Sequence, residues 1–314
     1  MSRHSVEAKR AIVHIGPHKT GSTYIQRMCL QNAAALHELG FEVPWKNIPK
    51  KIAYFAFTLK SLSNQTLPMH VTKQYVSMPN FKQVINTIQS TPLSVIISSE
   101  EFDDLGFTAA AKLRSILQDF DVTIVYFHRE RTELLRSNYY QLTDSNLLCE
   151  TFENFISQNQ LSNFTSLPGV ELTHTLFVFT SVFGRDAMRI ISYDGVQQQG
   201  ANIFEIFLKD AVGIDPIKAG ISWIAEPAHK SAPPDIVERK VMKCLYKGIT
   251  KDMIDEMQRH VNCSEMRELG IHFWNSEQAI FRNLGLEVLY YPPNPPSAFA
   301  EVCHYDHPYN HSKI

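Results

Sequence analysis

The chain has 314 residues, 44% of them apolar and 20% charged, with a formal net charge of −2. That length can bury a sizeable core without disulfide or metal staples. The balanced charge excludes a global positive field for nucleic acid or an anionic membrane, so any anion site must be local.

The opening stretch MSRHSVEAKR is polar and lacks the apolar region of a secretory signal. No stretch approaches the roughly 18 apolar residues of a spanning helix. The expectation is a soluble, cytoplasmic chain with no integral membrane segment; a removed upstream anchor is left open. Cys29, Cys149, Cys244, Cys263 and Cys303 are widely spaced, without a C-x-x-C pair. That argues against a zinc site and fits a reducing compartment.

Residues 11–15 (AIVHI) form a short apolar run closed by Gly16, as a buried parallel strand would be. A helix is expected over 23–39, stopped by Gly40. Residues 44–78 read as irregular and aromatic, with short helices, and 81–89 as helical. A second strand is expected over 93–98, a helix over 109–120, a third strand over 121–127 and a helix over 132–144. A fourth strand follows over 187–193, with a helix behind it over 203–212. After Gly220 the pattern is mostly helical, clearest over 236–247 and 265–284, and the tail 292–314 is rich in proline, histidine and tyrosine.

Alternating strands and helices of this length imply βαβ units. The expected fold is α/β: a three-layer α/β/α arrangement around a central, mostly parallel sheet of P-loop-containing nucleotide-binding type. A single domain is expected, with a donor-binding core at 11–145, a helical C-terminal part at 220–291 and the tail.

The segment Gly16-Pro17-His18-Lys19-Thr20-Gly21-Ser22-Thr23 lies between the first strand and the first helix. Backbone N–H groups in such a loop cradle phosphate oxygens, and the helix N-terminus adds partial positive charge. Ser22 and Thr23 bring hydroxyls, and Lys19 a mobile point charge. The glycine spacing suits an ATP or GTP loop, but Ser22 stands where that motif has its lysine. No convincing acidic strand end for Mg²⁺ accompanies it, so no metal is expected.

IGPHKTGSTYIQ resembles the 5′-phosphosulfate loop of the sulfotransferases that use 3′-phosphoadenosine 5′-phosphosulfate (PAPS), written K-[S/T]-G-[T/S]-T. The resemblance implies that Lys19 touches the leaving phosphate and the bridging oxygen. Thr20, Gly21, Ser22 and Thr23 would wrap the 5′-phosphate, His18 would lie against the donor, and Tyr24 would stack on adenine. In that family an arginine ends a strand and a serine follows eight residues later, both binding the 3′-phosphate. Arg129 and Ser137 stand in that order and at that spacing. Ala228-His229-Lys230-Ser231 is a weak counterpart of a further 3′-phosphate loop.

The resemblance implies sulfuryl transfer from PAPS, as donor co-substrate, to a hydroxyl or amine on a small molecule or carbohydrate. A base must take the acceptor's proton. Glu100, just past the 93–98 strand, is the first candidate and Glu101 the second; His18, Glu42 and His14 stay open, His14 reading more as a core histidine. The tail histidines His304, His307 and His311 match no trusted zinc spacing. Two other readings stay open: a P-loop phosphotransferase using ATP and Mg²⁺, and a non-catalytic nucleotide-binding protein.

Overall fold

The computed structural model describes residues 8–47, 52–65, 67, 76, 78–145, 147, 150, 152, 155, 156, 172–223 and 263–292. The expected helix 236–247, the Ala228–Ser231 segment and the tail after Pro292 lie outside them.

Six strands form one sheet in the order β2-β3-β1-β4-β5-β6, every neighbouring pair parallel. They are β1 (Arg10–His14), β2 (Phe41–Glu42), β3 (Ser94–Ser98), β4 (Asp121–His128), β5 (Met188–Ser192) and β6 (Val288–Leu289). The fold is therefore α/β, with a sheet parallel throughout its described strands. Burial on both faces explains the unbroken apolar runs. Ile12, Val13, Ile96, Ile97, Ile124, Val125 and Ile191 are completely buried, each contributing about 1.5–3 kcal/mol of transfer free energy.

Register sets the sheet tips. Val13 lies between Ile97 and Ile124, and His14 between Ser98 and Val125. From β1 the chain turns toward the β2 side, and from β4 toward the β5 side, so β1 and β4 flank the point where the strand order reverses. Open α/β sheets bind ligands in the crevice beyond the carboxyl ends at such a point.

The expected helix over 23–39 is two helices, α1 (Ser22–Gln31) and α2 (Ala33–Glu38). The break falls at Asn32, whose Nδ2 donates to the Met28 carbonyl at 2.9 Å and to the Ser222 carbonyl at 2.9 Å. Such side-chain bonding competes with the helical ladder. Gly40 ends α2 at φ 87°.

Next come α3 (Ala53–Leu62), α4 (Met78–Ser90), a 3₁₀ turn (Glu100–Phe102), α5 (Phe107–Ile116) and α6 (Arg131–Asp144). Then follow α7 (Leu172–Phe183), α8 (Tyr193–Gln198), α9 (Ile203–Ile206) and α10 (Cys263–Leu284). Past α9 the expected helix widens into a π-helical stretch, Phe207–Val212, ended by Gly213 at φ 81°.

By packing, the chain divides into two compact units. One comprises Met1–Arg129, Glu171–Pro227 and Phe281–Tyr291, and holds the whole sheet. The other comprises Glu130–Val170, Ala228–Ile280 and Pro292–Ile314. Within the second, the Arg131 guanidinium lies 5.0 Å from the Phe273 ring centroid and 4.0 Å from the Glu277 carboxylate. Tyr139 packs on Phe152 and Phe155 and donates its hydroxyl to the Glu150 carbonyl at 3.0 Å.

Candidate functional site

The loop after β1 begins as an extension of the sheet: the Ile15 N–H donates to the Val125 carbonyl at 2.9 Å. It then departs from regular structure. Lys19 has φ 69°, left-handed for a residue with a side chain. That conformation costs on the order of 1 kcal/mol and persists where surrounding structure enforces it. Gly21 is the N-cap of α1 at φ 78°, and no side chain caps that helix. A Cβ on Gly21 would strike Ile203, and one on Gly16 would strike Ser22 Oγ, so both glycines serve close packing.

The loop hydroxyls partly turn inward. Thr20 Oγ1 donates to the Pro17 carbonyl at 2.7 Å, and Ser22 Oγ to the same carbonyl at 3.3 Å. Thr20 and Ser22 are buried, while Thr23 is exposed. His18 and Lys19 form a turn after Pro17, and no side chain caps the N–H groups that open α1. Tyr24, half-buried on α1, accepts at its hydroxyl from Asn202 Nδ2 at 2.8 Å.

Arg129 follows the tip of β4, beside that loop. Its Nη1 donates to the Lys19 carbonyl at 2.8 Å, its Nε lies 3.7 Å from Asp194 Oδ1, and its guanidinium lies 5.3 Å from the Tyr193 ring centroid. Tyr193 and Asp194 open α8 just past β5, capped by Ser192 Oγ accepting from the Gly195 N–H at 3.1 Å. Neither residue belongs to a motif named above; their signal in the sequence is a strand ending in serine, followed by Tyr-Asp-Gly.

Lys19 therefore sits close to a second cation. Burial first, and the Arg129 charge second, hold its ammonium below the ordinary lysine pKa, while Glu100 partly offsets both. Adjacent cations of this kind suit an anionic ligand, whose charge relieves the repulsion.

The carboxylates come from the tip of β3. Ser99 Oγ accepts from the Glu101 N–H at 3.3 Å and closes the 3₁₀ turn that carries Glu100 and Glu101. His18 faces both: its Nδ1 is 4.0 Å from Glu100 Oε2, and its Nε2 is 3.7 Å from Glu101 Oε1. Burial raises the Glu101 pKa above its ordinary value, against the lowering effect of His18 and Lys60.

Lys60 belongs to no motif in the sequence. It is completely buried, with Nζ 3.7 Å from Glu101 Oε2 and an ion pair to Asp104 Oδ1. Its only signal was a lysine inside the otherwise apolar run AYFAFTLKSL.

His14 is a core residue. Its Nδ1 lies 2.7 Å from Ser98 Oγ, its ring stands edge-on to Phe127, and burial pushes its pKa down to about 3. It therefore stays neutral. Glu42 is tied to Lys46 at 2.8 Å and to His37 at 3.1 Å. Ser137, on α6, belongs to the second unit and is buried there.

The structure thus brings His18, Lys19, Glu100, Glu101 and Arg129 together at the tips of β1, β3 and β4, and leaves His14 and Glu42 to other partners. Among the described residues, no group of three His, Cys, Asp or Glu is arranged to hold a metal ion. None of the described helices is long and apolar enough to cross a membrane.

The architecture is of the P-loop-like α/β class. A sulfotransferase from Alicyclobacillus acidocaldarius shares it, with a TM-score of 0.50 at 14% identity over 93% of this chain and 99% of that one. At that identity the likeness establishes the fold. No protein-family model and no curated protein sequence matches the chain.

Proposed function

We propose that the chain is a sulfotransferase that moves a sulfuryl group from PAPS to a hydroxyl or amine of a small molecule or carbohydrate. The observation that carries this reading is the junction of Lys19 and Arg129, joined by one hydrogen bond across the sheet's switch point. Two cations and a helix N-terminus without a side-chain cap at that point suit a nucleotide bearing anions at both ends. The likeness in fold to a sulfotransferase supports the choice of reaction.

In this reading, the N–H groups of His18–Thr23 and the exposed Thr23 hydroxyl receive the 5′-phosphate. Thr20 and Ser22 keep the loop closed on Pro17. Arg129, oriented by Asp194 and Tyr193, receives the 3′-phosphate. Ser137 joins it on the strength of its spacing in the sequence, and Tyr24 offers its ring to the adenine.

The acceptor oxygen or nitrogen attacks sulfur as the bond from sulfur to the 5′-phosphate oxygen breaks. Lys19 stabilises the charge growing on that oxygen. A carboxylate of the Glu100–Glu101 turn takes the acceptor's proton, with His18 holding that turn against the donor loop.

Calorimetry with adenosine 3′,5′-bisphosphate, set against ATP with Mg²⁺, tests the reading. Binding of the bisphosphate without metal is expected. Tight binding of ATP with Mg²⁺, and none of the bisphosphate, would replace the reading with phosphoryl transfer. Bisphosphate binding with no transfer to any acceptor would leave a nucleotide-binding protein.

A further inference from the structure

Glu100 and Glu101 are neighbours on one turn, yet their surroundings differ. Glu100 lies 4.0 Å from His18 Nδ1 and makes no ion pair with Lys60. Glu101 is more deeply set, and its two oxygens face opposite partners: Oε1 looks to His18 on the donor loop, Oε2 to Lys60 on α3, each at 3.7 Å.

Lys60 is an unusual residue to find completely buried. It stands in α3 with the buried residues Phe55, Phe57 and Leu59, and its Nζ lies 5.5 Å from the Phe57 ring centroid. If the ammonium served only to neutralise one acid, the half-exposed Asp104 would suffice. The contact to Glu101 is additional, and it leads directly to the loop that holds Lys19.

We infer that Lys60 is a positioning residue that anchors Glu101 through Oε2, leaves Oε1 facing the donor loop, and so makes Glu101 rather than Glu100 the carboxylate that takes the acceptor's proton. The inference rests on the sulfotransferase reading for the identity of that proton.

The electrostatics agree with the geometry. Four carboxylates, Glu100, Glu101, Asp103 and Asp104, share the neighbourhood with the cations Lys60 and, when protonated, His18. Burial pushes Asp103 well above the ordinary carboxylate range, with Asp104 adding to the effect and Lys60 opposing it. Glu101 is also raised by burial, while His18 and Lys60 pull it back and Glu100 and Asp104 oppose them. Lys60 thus pulls down a carboxyl pKa that burial raises.

The test is a carbon-13 NMR titration of the side-chain carboxyls in glutamate-labelled protein, with the Glu101 resonance assigned by its loss in Glu101→Gln. Lys60→Met is expected to raise the Glu101 midpoint by about one pH unit or more, and Lys60→Arg to restore it. Asp104→Asn, at a half-exposed position, is expected to lower the midpoint, because the ammonium then serves Glu101 alone. A Glu101 midpoint unmoved in folded Lys60→Met overturns the inference. Should Lys60→Met not fold, an unmoved midpoint in Asp104→Asn overturns it instead. Bisphosphate calorimetry on the unaltered chain tests the donor reading separately: failed binding with the expected midpoints removes the donor, not the anchoring of Glu101.

Discussion

The guanidinium of Arg129 donates to the backbone carbonyl of Lys19 at 2.8 Å, joining the tip of β4 to the loop after β1. One arginine thereby fixes the loop, pairs with Asp194 and lies against Tyr193. Only a planar group with several donors can do all three and still present an edge to a phosphate.

Arg129→Lys is expected to weaken bisphosphate binding by roughly 10- to 100-fold, since an ammonium cannot span the Lys19 carbonyl and Asp194 while meeting an anion. Calorimetry reads the affinity. Equal affinity in the variant would show that the guanidinium serves the loop alone.

Lys19→Ala is expected to slow transfer by about 10²–10³-fold, in line with removing a donor that meets charge formed only in the transition state. Bisphosphate affinity is expected to fall less than the rate. Release of adenosine 3′,5′-bisphosphate from PAPS, followed with a panel of carbohydrate acceptors, gives the rate. Near-normal turnover would sink the proposed role.

Much of this arrangement was readable because it is local in sequence. Buried parallel strands show as apolar runs, so β1, β3, β4 and β5 appear within a residue or so of their places. The strand–loop–helix at 10–31 and the arginine just past β4 follow from them. What stayed hidden depends on distant partners. The α1–α2 break needs Asn32 to meet Ser222, 190 residues away. The strand β2 is two residues long and exists by pairing with Ser94 and Val95. The helix α7, LTHTLFVFTSVF, is rich in β-branched and aromatic residues, whose own preference is for strands. Lys60 reads as a solvated helix-end charge until packing encloses it.

Gly21→Ala is expected to destabilise the fold by about 1–3 kcal/mol, from a left-handed φ and a collision with Ile203. Ile203→Val in the same chain removes the colliding Cδ1 but not the backbone strain, so recovery should be incomplete. Denaturant titration of the three proteins checks this. Full recovery would assign the whole cost to Ile203.

Glu130 is the residue after Arg129. It caps α6, accepting from the N–H groups of Thr132 at 3.1 Å and Glu133 at 3.2 Å, and it also pairs with the Thr132 hydroxyl. Burial, then the charge of Glu277, push its pKa up to about 8, against the hydrogen bonds that favour the ionised form. The folded chain therefore keeps a proton there that the unfolded chain releases near the ordinary glutamate value. The stability from this group is complete below that value and is lost as pH rises through about 8. The slope from one such group is at most about 1.4 kcal/mol per pH unit. Glu130→Gln keeps an oxygen for the cap and removes the titration. Denaturant titrations from pH 5 to pH 8.5 are expected to show the variant gaining on the parent chain as pH rises. A stability difference that stays constant across that range would mean Glu130 is ionised in the folded state, and that its cap on α6 is a charged one.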